Sequence, residues 1–470
     1  MSNDEFLKLN TVFENQKQSF LAAPYPTYKD RISVLKQLKS LILENQKALL
    51  SALDDDFGHR KFDESRLIEI FPVISSLNYI IKHLKRWMKP QKRHASLLYF
   101  PSRNYVFYQP KGIVGIIVPW NYPLVLSIIP IAYAIAAGNR VMVKLSELSP
   151  KIELTLIKIF QRLCSEDDVC FIQGDVNVAQ AFSQLAFDHL FFTGSTTVGR
   201  QVMKAASENL TPITLELGGK SPVIISEKAT IKKAAASVCF AKYVNSGQTC
   251  IAPDYIYLSE LVSQQFIEAL IENWHTFSQG DFSDLTSLIS DKQLQRMQAL
   301  LEDAKSKGAV INVLGQQMPW SEAQLASRQL PLCIVTNISD DMLIAQEEIF
   351  GPILPIISFK RLDDVIKSIN QKPRALSLYF YGKESDFELV TRKTHAGGIC
   401  FNDALMHIAQ DDLPFGGIGP SGMGSYHAKE GFETFSHAKA VYLKSRYNPG
   451  SLIYPPFNRA HRLLFKFFLR

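Results

Sequence analysis

The sequence predicts an α/β fold built on parallel β-sheets, and three observations support this prediction. From residue 113 onward, short apolar runs of strand length alternate with longer helical segments, as in right-handed βαβ units. Polar segments with glycine follow several of these runs, where the carboxyl ends of parallel strands would lie. The 470 residues are 46% hydrophobic and 20% charged, a composition typical of a globular chain with roughly three structural units.

The first part of the chain is predicted to be helical. Apolar residues recur with a helical period in two groups, namely Ile32, Leu35, Leu38, Leu41 and Ile42, then Leu67, Ile68, Phe71, Ile74 and Leu77. Basic residues cluster in 82–93, which we interpret as a solvated helix end and not as a nucleic-acid-binding arm. Residues 105–108 lie between prolines and are predicted to form an edge strand or one arm of a hairpin.

Apolar runs predict the strands of the parallel sheets, with helices between them. Before residue 200 the predicted strands are 112–118, 141–143, 169–172 and 189–192, and the predicted helices are 124–137 and 152–163. Further along the chain the predicted strands are 223–225, 255–257, 353–357 and 376–381. Glycines at 397–398 and in 414–422 indicate loops.

Charge and cysteine content exclude several classes of protein. The formal net charge is +6, and residues 441–470 contain six basic residues and no acidic one, so the remainder is formally neutral. We therefore expect no nucleic-acid partner. The six cysteines form no CxxC pair and have no zinc-like spacing, which predicts a reducing compartment and no metal. The N-terminus lacks a signal-peptide pattern, and the apolar stretch 122–137 is interrupted by prolines, so the predicted location is cytoplasmic.

Polar residues at the ends of the first predicted strands are candidate ligands of a nucleotide. Residues 193–199 (TGSTTVG) follow a strand and open a helix, whose N-terminus can bind an anion, although an ordinary tight turn explains them equally well. Asn121 stands between two prolines and could donate to an oxyanion, or simply form a turn. Lys144 and Glu147 could bind ribose hydroxyls, or form an exposed loop pair.

Two further residues are candidates for catalysis. Glu216 lies between two leucines before a Gly-Gly turn, so it is either held by backbone donors or has a raised pKa suited to a general base. Cys250 follows a polar segment that contains glycine, where a thiol can be exposed and act as a nucleophile. The other five cysteines lie in apolar or helical surroundings and are expected to be inert.

Taken together, these segments resemble motifs of the NAD(P)-dependent aldehyde dehydrogenase superfamily over nearly the whole chain. Seven motifs occur in the family's order: PWNYP (119–123), VKLSE (143–147), FTGSTTVG (192–199), LELGGK (215–220), GQTCIAPD (247–254), EEIFGP (347–352) and PFGGIGPSGMG (414–424). The chain is similar to the short, class 3-type branch. Residues 402–432 are most similar to bacterial coniferyl aldehyde dehydrogenases, which makes an aromatic aldehyde such as coniferaldehyde the leading substrate, ahead of a medium- or long-chain aliphatic one.

The resemblance implies a set of site residues. Cys250 would be the nucleophile that forms a thiohemiacetal and then a thioester, Glu216 the base, and Asn121 part of the oxyanion hole. The expected ligands of NAD or NADP, with NAD favoured, are Trp120, Lys144, Glu147, Thr193, Gly194, Ser195, Gly199, Glu348 and Phe350. Tyr122, Phe401 and Leu405 are candidates for the wall of the substrate pocket.

The resemblance also implies a domain organisation and a homodimer. Residues 1–85 and 109–216 would form a Rossmann-like NAD(P)-binding domain, 217–427 an α/β catalytic domain, and 86–108 with 428–448 a small β oligomerisation arm. The basic and apolar tail, 449–470, is expected to pack on its own protein or on the dimer mate, with weak contact to an anionic membrane surface as the alternative. Rival functions are a CoA-acylating relative, a cofactor-free cysteine esterase and a silent binding protein.

Overall fold

The computed structural model describes residues 3–315, 320–447 and 454–469. The α-helices in these ranges are α1 (Asn3–Ala22), α2 (Tyr28–Glu44), α3 (Gln46–Phe57), α4 (Phe62–Ser65), α5 (Phe71–Trp87), α6 (Val125–Ala137), α7 (Pro150–Leu163), α8 (Val176–Ser183), α9 (Thr196–Ser207), α10 (Ile231–Tyr243), α11 (Ser263–Ser278), α12 (Asp291–Ser306), α13 (Glu322–Ser327), α14 (Leu343–Gln346), α15 (Leu362–Gln371), α16 (Glu384–Lys393), α17 (Ala428–Thr434) and α18 (Arg459–Phe468). A π-helical turn, Arg66–Ile70, joins α4 to α5.

The strands of the described ranges form three sheets. They are β1 (Gln91–Arg93), β2 (Arg103–Pro110), β3 (Ile113–Ile117), β4 (Arg140–Lys144), β5 (Val169–Phe171), β6 (His189–Gly194), β7 (Ile213–Leu217), β8 (Pro222–Ile225), β9 (Tyr255–Ser259), β10 (Val310–Val313), β11 (Cys333–Thr336), β12 (Ile353–Phe359), β13 (Ser377–Tyr381), β14 (Gly398–Phe401), β15 (Gly422–Met423) and β16 (Ser436–Leu443).

The two large sheets are parallel apart from one edge strand each. The first has the order β15-β7-β6-β3-β4-β5, and the second has the order β10-β11-β12-β9-β8-β13-β14. The antiparallel strands are β15 in the first sheet and β10 in the second. The predicted α/β fold class is therefore confirmed. Because β15 pairs with β7, two residues from the range expected to be catalytic complete the edge of the first sheet.

The third sheet is a small antiparallel arm that decides between the two alternatives predicted for residues 105–108. Its strand order is β1-β2-β16. Residues 105–108 lie in β2, which forms a hairpin arm with β1 as predicted, but β2 is not an edge strand. All eight of its residues pair with β16, from Arg103 opposite Leu443 to Pro110 opposite Ser436. The sequence alone did not predict this pairing, because β16 lies more than three hundred residues further along the chain.

Helix α6 is the core element that supports the first sheet. All thirteen of its residues are buried, Pro130 included, so it is apolar around its whole circumference. It ends at Gly138, which has a φ of 95°, and a Cβ there would lie 2.7 Å from the Arg31 guanidinium carbon. Glycine is therefore required to turn the chain directly into β4.

The helical stretch Phe62–Trp87 is long and apolar enough to span a bilayer by length and composition. One face of α5, including Val73, Leu77 and Ile80, is nevertheless buried in the same core as α6. The ring of Trp87 lies 6.3 Å from that of Tyr133 on α6. This stretch therefore has the packing of a core helix.

The described part of the C-terminal tail exposes several apolar side chains. Leu463 and Phe465 on α18 are 69% and 53% exposed, and Leu469 is 79% exposed. These side chains are largely exposed within the single chain, so packing on a dimer mate and contact with a membrane surface both stay predictions. Residues 448–453 and 470 of the predicted arm and tail lie outside the described residues.

A buried ion pair connects the helical region to the segment that follows β3. Arg60 and Glu69 are both fully buried, and Arg60 Nη1 donates to Glu69 Oε1 at 2.9 Å. The other Glu69 oxygen accepts from the backbone N–H of Val125 at 2.8 Å, in the first turn of α6. Burial raises the pKa of Glu69, and the Arg60 charge opposes that rise. The pair thus fixes the chain directly after the PWNYP segment.

Replacing Arg60 by methionine removes the charge and keeps much of the volume. We expect the free energy of unfolding to fall by about 3 to 5 kcal/mol, since Glu69 would remain buried without its cation. Urea denaturation measures the change. The matched control is Arg66→Met, because Arg66 and Asp63 are 54% and 92% exposed; its loss should stay below about 1 kcal/mol. Equal losses in the two variants would contradict the assigned importance of the buried pair.

Candidate active site

The polar segments identified in the sequence meet at one edge of the first sheet. Strands β7, β6, β3 and β4 are neighbours and parallel, so their carboxyl ends point to the same side. Glu216 lies in β7, Thr193 and Gly194 end β6, and Lys144 ends β4. Ligands of parallel sheets bind beyond such ends. The sheet therefore brings these predicted site residues together.

Cys250 is placed by a turn in which three consecutive residues have positive φ. Asn245, Ser246 and Gly247 have φ values of 52°, 49° and 70°. Non-glycine residues adopt this region at a cost, so the surroundings must hold the turn. Gln248 does so, because its Nε2 donates to the Asn245 carbonyl at 3.0 Å and its Oε1 accepts from the Ile289 N–H at 3.0 Å. The fixed turn presents a half-buried thiol.

Asn121 lies against this turn. It is 2% exposed, and its Nδ2 donates to the Gln248 carbonyl at 3.2 Å. Asn245 Nδ2 donates in return to the Asn121 carbonyl at 3.1 Å. The hydroxyl of the next residue, Tyr122, is 2.6 Å from Thr249 Oγ1. An amide donor is thus held beside the turn that carries the thiol.

Two acids, the buried Glu216 and the half-buried Glu348, raise the pKa of the Cys250 thiol. Glu216 is 3% exposed, and in the described part of the chain neither of its carboxyl oxygens has a hydrogen-bond partner. Burial raises its pKa well above the usual value. Burial also raises the pKa of Glu348 to about 8, against the opposing hydrogen bond from the Gly219 N–H. A Cβ at Gly218 would lie 2.1 Å from Glu348 Oε2, so glycine is needed for this close approach.

The ionisation of Cys250 follows from these surroundings. Burial, together with the nearby Glu348 and Glu216 in that order, raises the pKa of the thiol to about 12. The resting sulfur is therefore protonated at neutral pH. Either acid, in its ionised form, can accept the proton when the thiol reacts. This arrangement suits nucleophilic catalysis coupled to proton transfer.

The segment 193–199 has the strand–turn–helix structure that the sequence predicted. Ser195 caps α9, and its Oγ accepts from the Val198 N–H at 3.3 Å. Thr193 Oγ1 is buried and has no partner among the described residues. A Cβ at Gly199 would lie 2.6 Å from the Leu217 side chain, so this glycine permits close packing of α9 on β7. A cavity of about 590 Å³ opens beside this turn, between α8 and α9.

Lys144 is 1% exposed at the end of β4, and its ammonium donates to the carbonyl of Leu145. Burial lowers its pKa, whereas the charges of Glu153 and Glu147 oppose that shift. Glu147 is exposed on the loop that follows. The two candidate ribose ligands therefore lie within electrostatic range of one another.

Trp120 and Phe350 also come together. Their rings meet edge to face with centroids 5.4 Å apart. Phe350 has a φ of 52°, and Arg296 holds the preceding backbone by donating to the Ile349 carbonyl at 2.7 Å and to the Glu348 carbonyl. An aromatic surface thus forms beside Glu348.

A cavity of about 250 Å³ leads to Cys250 and tests the predicted pocket wall. Tyr122 and Leu405 line it, as predicted, together with Leu67, Ile68, Phe71, Pro72, Val125, Leu126, Ile129, Phe240, Val244, Ile251, Met406 and Ile408. Phe401 does not line this cavity. Phe401 stacks on Phe387 at 4.7 Å and packs in a separate cluster, because successive residues of a strand point to opposite faces of the sheet.

Sequence reasoning missed several residues of the site. Leu67 and Phe71 are identified in the sequence only by their helical period, yet they are 52% and 65% exposed and line the cavity. Lys242 is fully buried on α10 and donates to the Gly351 carbonyl at 2.7 Å, so it joins the thiol turn to the Phe350 segment. The apolar run around it gave no signal beyond the single charge. Asp411 also lines the cavity.

Comparisons with known proteins agree with this geometry. Residues 9–441 match the aldehyde dehydrogenase family. The chain is 46% identical to the "Probable coniferyl aldehyde dehydrogenase" of Pseudomonas aeruginosa, over 100% of this chain and 98% of that protein. The chain belongs to the aldehyde dehydrogenase family. Its activity is the NAD(P)-dependent oxidation of an aldehyde to the carboxylic acid.

Two further relatives agree with the class 3-type resemblance and with the fold. Aldehyde dehydrogenase family 3 member H1 of Arabidopsis thaliana is 34% identical over 93% of this chain and 90% of that protein. The solved structure described as "Substrate bound state of Staphylococcus Aureus AldH" has a TM-score of 0.92 and 36% identity. It covers 98% of this chain and 99% of that one.

The residues at the sheet edge fit an NAD(P) molecule. The capped start of α9 offers backbone N–H groups to a pyrophosphate, and Thr193 has a buried hydroxyl to spare. Lys144 presents a buried ammonium whose one described hydrogen bond goes to a backbone carbonyl. The cavity between α8 and α9 provides apolar walls for a flat ring system, among them Ile117 and Val198.

Proposed function

We propose that the substrate is an aromatic aldehyde of the coniferaldehyde type. The supporting observation is the cavity that ends at Cys250, whose wall is apolar apart from a few polar side chains. Tyr122 contributes an aromatic ring to this wall, and Leu405 is an apolar wall residue. The name of the Pseudomonas aeruginosa relative points to the same class of aldehyde.

In the proposed mechanism Cys250 is the nucleophile and Asn121 stabilises the oxyanion. The thiol gives its proton to a neighbouring carboxylate and the sulfur adds to the aldehyde carbon. The Asn121 amide and the Cys250 backbone N–H donate to the oxygen of the resulting thiohemiacetal. One such donor contributes about 3 kcal/mol to lowering the barrier. The fixed turn at 245–247 keeps these groups aligned before the substrate arrives.

Glu216 is the proposed general base for hydrolysis of the thioester. Its buried carboxyl has a raised pKa and no partner among the described residues, so its ionised form is a strong base that can accept a proton from water. This assignment favours release of an acid over transfer of the acyl group to coenzyme A.

NAD is the proposed cofactor, in preference to NADP. Lys144 and Glu348 would hold the riboses, Trp120 and Phe350 would border the nicotinamide, and Glu147 would repel a phosphate on the adenosine ribose. Gly194, Ser195 and Gly199 would surround the pyrophosphate. The nicotinamide supplies the hydride acceptor for the reaction when the cofactor is bound.

A long-chain aliphatic aldehyde is the second candidate substrate. Leu67 and Phe71 extend an apolar surface from the cavity towards solvent, which suits an alkyl chain. A cysteine esterase has less support. The described cavity wall contains His427, but its Nε2 has no partner in the described residues and burial lowers its pKa to about 4.

We further propose a cytoplasmic homodimer whose tail touches an anionic membrane surface weakly. Residues 1–85 and 109–216 form the proposed cofactor domain, 217–427 the catalytic domain, and 86–108 with 428–448 the dimerisation arm. Helix α18 carries Arg459, Arg462 and Lys466 and no acidic residue. Exposed apolar side chains next to cations are the features by which a helix binds such a surface.

Glu216→Gln separates acylation from hydrolysis. We expect the rate of NADH formation in the first turnover to be close to that of the unchanged protein, because the thiol and Asn121 remain. Steady turnover should fall about a hundredfold, since the base is lost. Below the raised pKa of Glu216 the base is protonated, so steady turnover of the unchanged protein should rise with pH through that pKa, and this rise should disappear in the variant. Stopped-flow absorbance measures both phases.

The matched control for this experiment is Cys250→Ala, which should show neither phase. Intact-protein mass spectrometry should detect the acyl thioester in Glu216→Gln and not in Cys250→Ala. If Glu216→Gln kept the steady rate of acid formation of the unchanged protein, Glu216 would not be the base.

A panel of aldehydes and cofactors tests the proposed substrate. We expect kcat/KM to be highest with coniferaldehyde, lower with benzaldehyde and hexanal, and lowest with hexadecanal. NADH should form faster than NADPH, and Glu147→Gln should narrow that difference because it removes the repelling charge. Initial rates of cofactor reduction measure both series. If kcat/KM were highest with hexadecanal, the substrate would be a long-chain aliphatic aldehyde and the aromatic proposal would be wrong.

Removing residues 454–470 tests the tail and the arm together. The full chain is expected to co-sediment with vesicles that contain phosphatidylglycerol and to stay in solution with neutral phosphatidylcholine vesicles. The shortened chain should bind neither. Analytical ultracentrifugation should give a dimer for both chains. A monomeric shortened chain would assign the tail to the dimer interface instead, and a monomeric full chain would reject the homodimer.

A further inference from the structure

The wall of the cavity that leads to Cys250 contains one carboxylate, Asp411, in the described part of the chain. The polar side chains that accompany it are Ser75, Ser76, Tyr122, Thr249 and His427. Asp411 is half-buried, and its neighbour in the wall, Ala409, is exposed. The residues on either side of Asp411 are exposed, whereas those on either side of Cys250, Thr249 and Ile251, are buried, so the carboxylate lies nearer to solvent than the thiol does.

Two serines hold the Asp411 carboxylate in place. Ser75 Oγ donates to Oδ2 at 2.5 Å, and Ser76 Oγ donates to Oδ1 at 3.0 Å. Both serines are on α5. A carboxylate accepts about four hydrogen bonds, so each oxygen retains capacity for a further donor. The acceptor is thus oriented by the protein and still available to a ligand.

This arrangement is unfavourable for an alkyl chain. An aliphatic tail that passed Asp411 would remove water from the carboxylate and give no hydrogen bond in return, which costs free energy. A ligand with a hydroxyl at its far end replaces the lost water by a charge-assisted hydrogen bond. Discrimination of this kind is strong because a buried polar group is left unpaired by the wrong ligand.

We infer that Asp411 is a specificity-determining residue, which accepts a hydrogen bond from the phenolic hydroxyl of an aromatic aldehyde whose carbonyl is at Cys250. The inference rests on the proposed function and narrows it from aromatic aldehydes to those with a hydroxyl opposite the aldehyde side chain. Ser75 and Ser76 are positioning residues for the carboxylate.

His427 is a weaker acceptor for the same hydroxyl. Its ring packs against Phe415 and Tyr426, and burial lowers its pKa to about 4, so the imidazole is neutral at physiological pH. A neutral acceptor forms a weaker hydrogen bond than a carboxylate. The charge at Asp411 is what distinguishes a phenol from an alkyl group.

The test compares three aldehydes that differ at one end only: coniferaldehyde, its O-methyl ether, which has no phenolic hydrogen to donate, and unsubstituted cinnamaldehyde. For the unchanged protein we expect kcat/KM to be about tenfold higher for coniferaldehyde than for the ether, the factor typical of a hydrogen bond to a charged group. In Asp411→Ala this ratio should fall to about one, while kcat/KM for cinnamaldehyde should change by less than about twofold.

Two further variants serve as controls. Asp412→Ala removes the adjacent carboxylate, which binds the hydroxyl of Tyr79 outside the cavity wall, and the ratio should stay unchanged. Asp411→Asn keeps the size of the side chain. Its ratio of kcat/KM for coniferaldehyde to that for the ether should lie between the ratios of the unchanged protein and of Asp411→Ala. This variant keeps the test valid if the alanine variant does not fold. Thermal unfolding of each variant monitors the fold.

Each outcome decides the inference. A ratio near one in the unchanged protein, or an unchanged ratio in Asp411→Ala and Asp411→Asn, would overturn the role of Asp411. If the three aldehydes lost activity equally in Asp411→Ala, the residue would act only on the structure of α5 and its surroundings, which also overturns the inference. Failure of the unchanged protein to oxidise even cinnamaldehyde would instead overturn the proposed aromatic substrate class.

Discussion

The turn of three residues with positive φ before Cys250 is the constraint on which the site depends. Asn245, Ser246 and Gly247 adopt a conformation that costs free energy, and the hydrogen bonds of Gln248 hold them there. A Cβ at Gly247 would lie 2.6 Å from the carbonyl oxygen of Gly351, so the turn also packs directly on the segment after Phe350. The position of the thiol is therefore set before any ligand binds.

Burial of ionisable groups gives this position its chemistry. Burial raises the pKa values of Glu216 and Glu348, and burial together with these two acids raises the pKa of the Cys250 thiol. A protonated thiol between two acids of raised pKa is unreactive in the resting protein. Proton transfer to a carboxylate can then be coupled to attack on the aldehyde, which limits side reactions of the free thiolate.

The substrate cavity combines segments that are far apart in the chain. The π-helical turn and α5 supply Leu67, Phe71 and the two serines, whereas the loop after β14 supplies Leu405 and Asp411. The buried Arg60–Glu69 pair joins the first of these segments to the start of α6. The contacts of Arg60 and Glu69 therefore stabilise the helical region and also help to fix the shape of the cavity.

The sequence alone determined the α/β class, most strand positions and the grouping of Asn121, Glu216 and Cys250 in ordered motifs, because these features are local patterns of a few residues. Only the tertiary structure decided which side chains face the cavity. Phe401 follows the same apolar pattern as a wall residue but points to the other face of its strand. Leu67 and Phe71 share the period of core residues, and Asp411 meets Ser75 across 336 positions. Which way a side chain faces depends on how whole helices and strands pack. The same holds for a contact between residues that are hundreds of positions apart. No local sequence pattern encodes this packing.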